Sequence, residues 1–263
     1  MRYITLLCYA GTMTEAEEFG KQILEYCDSY KIPKEYLYDI LIDQKVVPMI
    51  RGKATEYATL LLLQRILDPR EWAVAKLNLN AQTGTHDEDV TVTHQRTGII
   101  IKVECKNASR GSFKFSSRAK KYPNQVFCTI KCHKSRSDLS KAETTNDRYL
   151  VGDFDIVISN LSNAVIAGAT YTKDFELISN HETVRRLADY YHCQPTYKEL
   201  FEATYNDWRF AFQSDILDEQ GIAVQRTPAV VLKDYSVWHK IEDLDHYLSM
   251  FVRDHLERRR IRR

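Results

Sequence analysis

The chain has 263 residues, 44% hydrophobic and 28% charged, with nine glycines and six prolines, which excludes collagen-like and low-complexity classes and allows a sizeable buried core. Its 37 Lys and Arg nearly balance 36 Asp and Glu, so any nucleic-acid footprint must be local. No apolar run approaches the ~20 residues of a membrane span.

Ile4 to Ala10 is apolar behind Arg2 but lacks a convincing cleavage site, and reads as a buried segment rather than a leader. Thr12-Met13-Thr14-Glu15 has capping-box form and predicts a helix over about 13–28. Pro33 suits the first turn of a second helix ending near Val47-Pro48. Gly52 to Leu67 predicts a third, more apolar helix, stopped by Asp68-Pro69. Its one interior acid is Glu56, which either pairs with Lys53 or Arg51 at a solvent edge or points at the acids described next.

Trp72 to Leu79 predicts a strand. Asp87 to Lys106 then reads as a hairpin turning at Gln95-Arg96-Thr97-Gly98. Val90 and Val92 alternate with threonines, and Ile99 to Val103 is almost continuously apolar, as in a strand covered on both sides. If the hairpin is symmetric about Arg96 and Thr97, residue 89 lies opposite 104 and residue 87 opposite 106. Side chains alternate along a strand, so Asp87, Asp89, Glu104 and Lys106 then share one face and Cys105 points to the other. Carboxylates held so close are best tolerated around a hard divalent cation. An adjacent lysine can position or activate a water, or neutralise phosphate charge.

Further on, Val126 to Cys132 predicts a strand. Phe154–Ser159 and Val165–Tyr171 flank a polar turn and predict a second hairpin. Ser179-x-x-Glu182 and Thr196-x-x-Glu199 introduce helices near 181–192 and 197–214. Glu242 to about Arg259 predicts a final amphipathic helix. Helices, then strands, then helices imply an α+β or mixed α/β fold: a central mixed sheet flanked by helices, read as one domain over 1–263. Residues 12–48 and a helical region over 175–263 would elaborate a core at about 50–170.

The six cysteines are scattered without a C-x-x-C, as expected of reduced thiols and a cytoplasmic location. A zinc site from Cys128, Cys132 and His133 with His192 or Cys193 matches no usual spacing. Asp153 and Asp155 form a rival acidic pair, better explained as a strand start. The arginines of Glu257 to Arg263 suit a helix C-terminus.

Asp89, fourteen residues, then Glu104-Cys105-Lys106 resembles the PD-(D/E)xK nuclease superfamily, the fold of many type II restriction endonucleases, with Glu88 where the family's proline often stands. The resemblance covers about residues 50–170. It implies that Asp89, Glu104 and the backbone carbonyl of Cys105 hold Mg²⁺, with Asp87 a rival ligand, that Lys106 acts on the attacking water, and that Glu56 supports the site. It further implies double-stranded DNA as substrate, 5′-phosphate and 3′-hydroxyl products, a homodimer and a cognate DNA methyltransferase as possible partner; no membrane partner is expected, since no apolar run is long enough to span one.

From Arg110 to Lys141 there are nine Lys or Arg and one acid, interleaved with aromatics. That segment is either a phosphate footprint or a solvated face. Arg110, Lys114, Ser116, Ser117, Lys120, Lys134, Arg136, Asn146 and Arg148 are the candidate DNA contacts, with base reading expected among the later ones. A structure-selective repair or junction-resolving nuclease and a non-catalytic DNA-binding protein are the alternatives.

Overall fold

The computed structural model describes residues 14–76, 89–118, 121–134, 147–167, 176–233 and 237–261. The chain divides into two compact units, residues 1–47 and 48–263.

The first unit contains α1 (Glu15–Tyr30) and α2 (Leu37–Leu41). Thr14, not Thr12, is the N-cap of α1, and its hydroxyl and Glu17 complete a capping box. Lys31 ends the helix in the left-handed conformation at φ 56°. The expected second helix is broken. A 3-10 turn over Lys34–Tyr36 leads into α2, which stops at Leu41. A new helix, α3 (Val46–Ile66), then starts six residues before the expected Gly52, with Pro48 in its first turn, where no N–H is needed.

The second unit is built on a six-stranded mixed sheet. In chain order its strands are β1 (Trp72–Ala75), β2 (Val90–His94), β3 (Ile100–Cys105), β6 (Ile156–Asn160), β7 (Trp208–Phe212) and β9 (His239–Lys240), and that is also their spatial order. Only β3 and β6 run parallel. A second, antiparallel sheet orders β4 (Lys114–Ser116), β5 (Gln125–Thr129) and β8 (Ala229–Val231). The remaining helices are α4 (His181–Tyr191), α5 (Tyr197–Asn206) and α6 (Leu244–Ile261).

Alternation along the strands divides the core. Val90, Val92, Ile101, Val103, Cys105, Ile156, Ile158 and Phe210 pack with Leu62, Leu63 and Leu67 of α3 and with Leu244, Leu248 and Val252 of α6. The α6 residues recur every four positions, one face of a helix. On the opposite side Val157 and Ala211 pack with Leu187 of α4, Leu200 of α5, and Cys128, Val230 and their neighbours in the second sheet. Burying each large aliphatic side chain contributes roughly 1.5–3 kcal/mol. Cys128 and Cys132 are thiols buried in this second part of the core.

Several expectations are corrected. Among the described residues, a 3-10 turn over Ser162–Val165 follows β6, which lies between β3 and β7 rather than in a second hairpin. Residues 168–175, which include part of its expected second strand, lie outside the described residues. The helix expected over 197–214 ends at Asn206, and the apolar run Trp208–Phe212 becomes strand β7. The region beyond 175 is therefore not a helical elaboration: it supplies β7 and β9 to the central sheet and β8 to the second. Ile100, at the start of β3, is exposed, so that strand is covered on both sides only toward its end. Among the described residues no helix is long and apolar enough to cross a membrane.

Candidate active site

The hairpin has the expected register. Val90 pairs with Val103 and Val92 with Ile101, and His94 N–H bonds to Ile99 O at 2.9 Å across the turn. Gly98 takes φ 67°, the left-handed conformation glycine adopts most readily. Continued one step, this register sets Asp89 opposite Glu104. The side chain of Asp89 crosses between strands: its Oδ2 accepts the N–H of Cys105 at 2.8 Å. The Cys105 thiol lies on the other face, bonded to Thr59 of α3 and held well above its usual pKa by burial.

Glu104 is buried, and its Oε1 accepts from Lys106 Nζ at 2.6 Å and from the Tyr149 hydroxyl at 2.8 Å. The Lys106 ammonium also lies 5.0 Å from the centroid of the Tyr149 ring. Burial alone would lower the lysine's pKa, but the Glu104 charge beside it raises it above its usual value, so Lys106 keeps its proton. Burial also pushes up the Tyr149 phenol, reinforced by Glu104. Asp89 is pushed up to about 8, first by burial and then by the charges of Glu104 and, more weakly, Glu56.

Glu56 lies on α3, buried, with neither of its two expected surroundings alone. Its Oε2 accepts from Lys53 at 2.8 Å and from Lys76. Lys76 follows β1 directly and also donates to the backbone oxygen of Asp89 at 3.3 Å. Below Glu56, Thr55 donates to Asn107 Oδ1 at 2.8 Å, so α3 lies along the chain that leaves the Glu-x-Lys strand.

The donor set of Asp89 and Glu104 is all oxygen, and the bonds described use only Oδ2 of one and Oε1 of the other. Each acid retains a second oxygen, and the burial and Glu104 charge that raise Asp89 are costs of an ionised pair that a hard cation between them would offset. The pair therefore fits Mg²⁺. Among the described residues, however, no three His, Cys, Asp or Glu side chains form a group able to hold a metal, so Glu56 is not assembled with the pair as a third ligand. Asp87, the rival, lies outside the described residues. Asp153 accepts from Leu150 N and Lys134, and Asp155 from Lys102 N.

The candidate DNA contacts are scattered. Arg110 donates to Ala167 O at 2.9 and 3.1 Å and lines an open cavity of about 710 Å³ with Lys114, Phe115 and Asn180. Lys114 and Ser117 are exposed. Lys134 sits instead at the acidic site, 5.6 Å from the Tyr149 ring and bonded to Asp153 at 2.9 Å. Arg148 is held by Asp218 at 2.8 Å and by Val224 O. Lys120, Arg136 and Asn146 lie outside the described residues, as does the side chain of Ser116.

Two residues at the site escape a sequence reading. Lys76 is one position past a strand and carries no motif. Tyr149 lies 45 positions from Glu104 and ends a polar stretch that reads as a DNA-contacting segment. Neither residue's role could be found without the fold. No family model, no curated protein and no solved structure matches this chain.

Proposed function

We propose that the chain is a Mg²⁺-dependent endonuclease that cuts double-stranded DNA at specific sequences, of the type II restriction kind. The observation that carries this reading is the juxtaposition of Asp89 with Glu104 by register, with the Lys106 ammonium 2.6 Å from Glu104. Mg²⁺ between the two acids would supply Lewis-acid polarisation of the scissile phosphate. Asp89 and Glu104 would hold the cation, joined by the Cys105 carbonyl at the same strand end. Lys106, kept protonated by Glu104, would orient the attacking water by donating to it and offset charge developing on the phosphoryl oxygens. Tyr149 fixes the Glu104 carboxylate that holds Lys106. Attack on phosphorus would release a 3′-hydroxyl and a 5′-phosphate. Exposed Lys114 and Ser117 support contact with the DNA backbone. Cutting both strands of a palindrome calls for a two-fold homodimer, and self-protection for a companion methyltransferase.

Plasmid and phage DNA incubated with the protein and Mg²⁺ should yield discrete fragments, and EDTA should abolish them. Nicking confined to branched DNA would favour a structure-selective nuclease. A gel shift without cleavage, unchanged by Mg²⁺, would establish a non-catalytic binder and refute the proposal.

A further inference from the structure

The charges of Glu104 and Glu56 both act on Asp89 at the open end of the β2–β3 hairpin, but the three acids are not equivalent. Asp89 and Glu104 face each other by strand register. Glu56 faces cations that belong to the protein. Its Oε2 takes both Lys53, at 2.8 Å, and the ammonium of Lys76. Lys53 is at the rim, its side chain 60% exposed, whereas that of Lys76 is 12% exposed. Lys76 is fixed from three directions: by Glu56, by the Asp89 backbone oxygen at 3.3 Å, and by the Tyr57 ring, whose centroid lies 5.4 Å away. An ammonium so enclosed is a structural cation. Pulling it off Glu56 would strand a buried charge without its counter-ion, which is strongly unfavourable.

The charge balance points the same way. Among the described residues, three carboxylates, Glu56, Asp89 and Glu104, face two largely buried ammoniums, Lys76 and Lys106, with the exposed ammonium of Lys53 at the rim. The buried groups of that set leave one negative charge. A single divalent cation and one phosphodiester bring such a cluster to neutrality, whereas a second divalent cation would leave two positive charges uncompensated in a largely buried site.

We propose that this site takes one divalent cation, between Asp89 and Glu104, because the ammonium of Lys76 permanently occupies the place at Glu56 that a second would need. This rests on reading Asp89 and Glu104 as the cation site. Glu56 is then a positioning residue for Lys76 and not a metal ligand. Lys76 brings the fixed positive charge that a second metal brings elsewhere, with no metal to lose.

Mn²⁺ titrated into the full chain after chelator treatment, followed by calorimetry and by the loss of free-Mn²⁺ electron paramagnetic resonance signal, reads the count directly. Wild type should bind one equivalent. E56Q/K76M, which removes the clamp as a neutral pair, should still bind one. K76M alone, which leaves only the exposed Lys53 on Glu56, should bind a second. Two equivalents in wild type, loss of uptake in E56Q/K76M, or a single equivalent in K76M would each overturn the proposal while leaving the Asp89–Glu104 site standing. No uptake by wild type would overturn that site itself, and the proposal with it. The wild-type count decides the matter even if a variant fails to fold.

Discussion

Replacing Asp89 with asparagine should make the metal-free protein more stable. In the folded state burial and the Glu104 charge raise the Asp89 carboxyl from 3.8 to about 8. An acid with a raised folded-state pKa binds its proton more tightly when folded than when unfolded. Its contribution is fully present below the unfolded value and is lost as pH rises through the folded one. With about 1.4 kcal/mol for each pKa unit, the loss at alkaline pH is on the order of 5 kcal/mol if nothing relaxes. Asparagine cannot ionise, its Oδ1 can still accept the Cys105 N–H, and its amide can donate toward Glu104. Urea denaturation in EDTA should therefore show D89N more stable than wild type by at least about 1 kcal/mol near pH 8.5, with the gap closing toward about pH 5. Adding Mg²⁺ should reverse the order, since wild type gains about 1.4 kcal/mol for each tenfold excess of cation over its dissociation constant and D89N gains little. By the same sign, cation affinity should rise with pH as Asp89 loses its proton. A D89N protein less stable than wild type at high pH in EDTA would refute the reasoning, as would a gap that ignores pH.

Other outcomes follow from particular contacts. K106A should cut plasmid on the order of 10²–10⁴-fold more slowly than wild type while keeping its circular dichroism spectrum; cutting at the native rate would remove Lys106 from the mechanism. Y149F removes the hydroxyl that donates to buried Glu104; it should cost about 1.5–3 kcal/mol in urea denaturation, and an unchanged midpoint would mean the bond contributes nothing. R209M breaks the ion pair with Asp207, whose side chains are 5% and 8% exposed; a loss of about 3–5 kcal/mol is expected because Asp207 is left buried and uncompensated. K114A should lower the salt dependence of DNA binding by about one unit of slope, whereas R148A should lower stability through Asp218 and leave that slope unchanged. Equal effects of the two variants on the slope would place Arg148 on the DNA after all.

Local patterns carry much of what the sequence shows. The focal hairpin is legible because strand alternation and the Gly98 turn fix the register without help from the rest of the chain, and register alone brings Asp89 to Glu104. The helices with side-chain caps, at Thr14, Asn180 and Thr196, lie within one or two residues of their capping signals. Where patterns compete, tertiary packing decides. Trp208–Phe212 follows a helix that ends at Asn206, after only Asp207, and becomes a strand because it fills the edge of β6. The run Val165–Tyr171 looks like a hairpin arm, but β6 has already paired on both sides, with β3 and β7, so no edge remains for it.

The sequence by itself determined the Asp89, Glu104 and Lys106 constellation, because those residues sit within one local ladder whose geometry is set by the period of a strand. Only the tertiary structure decided what surrounds them. Lys76 comes from the position just after β1, Tyr149 from a segment 45 residues beyond Glu104, and Glu56 from α3. Contacts between distant segments depend on how helices and strands pack, and packing is a property of the whole core that no local spacing encodes.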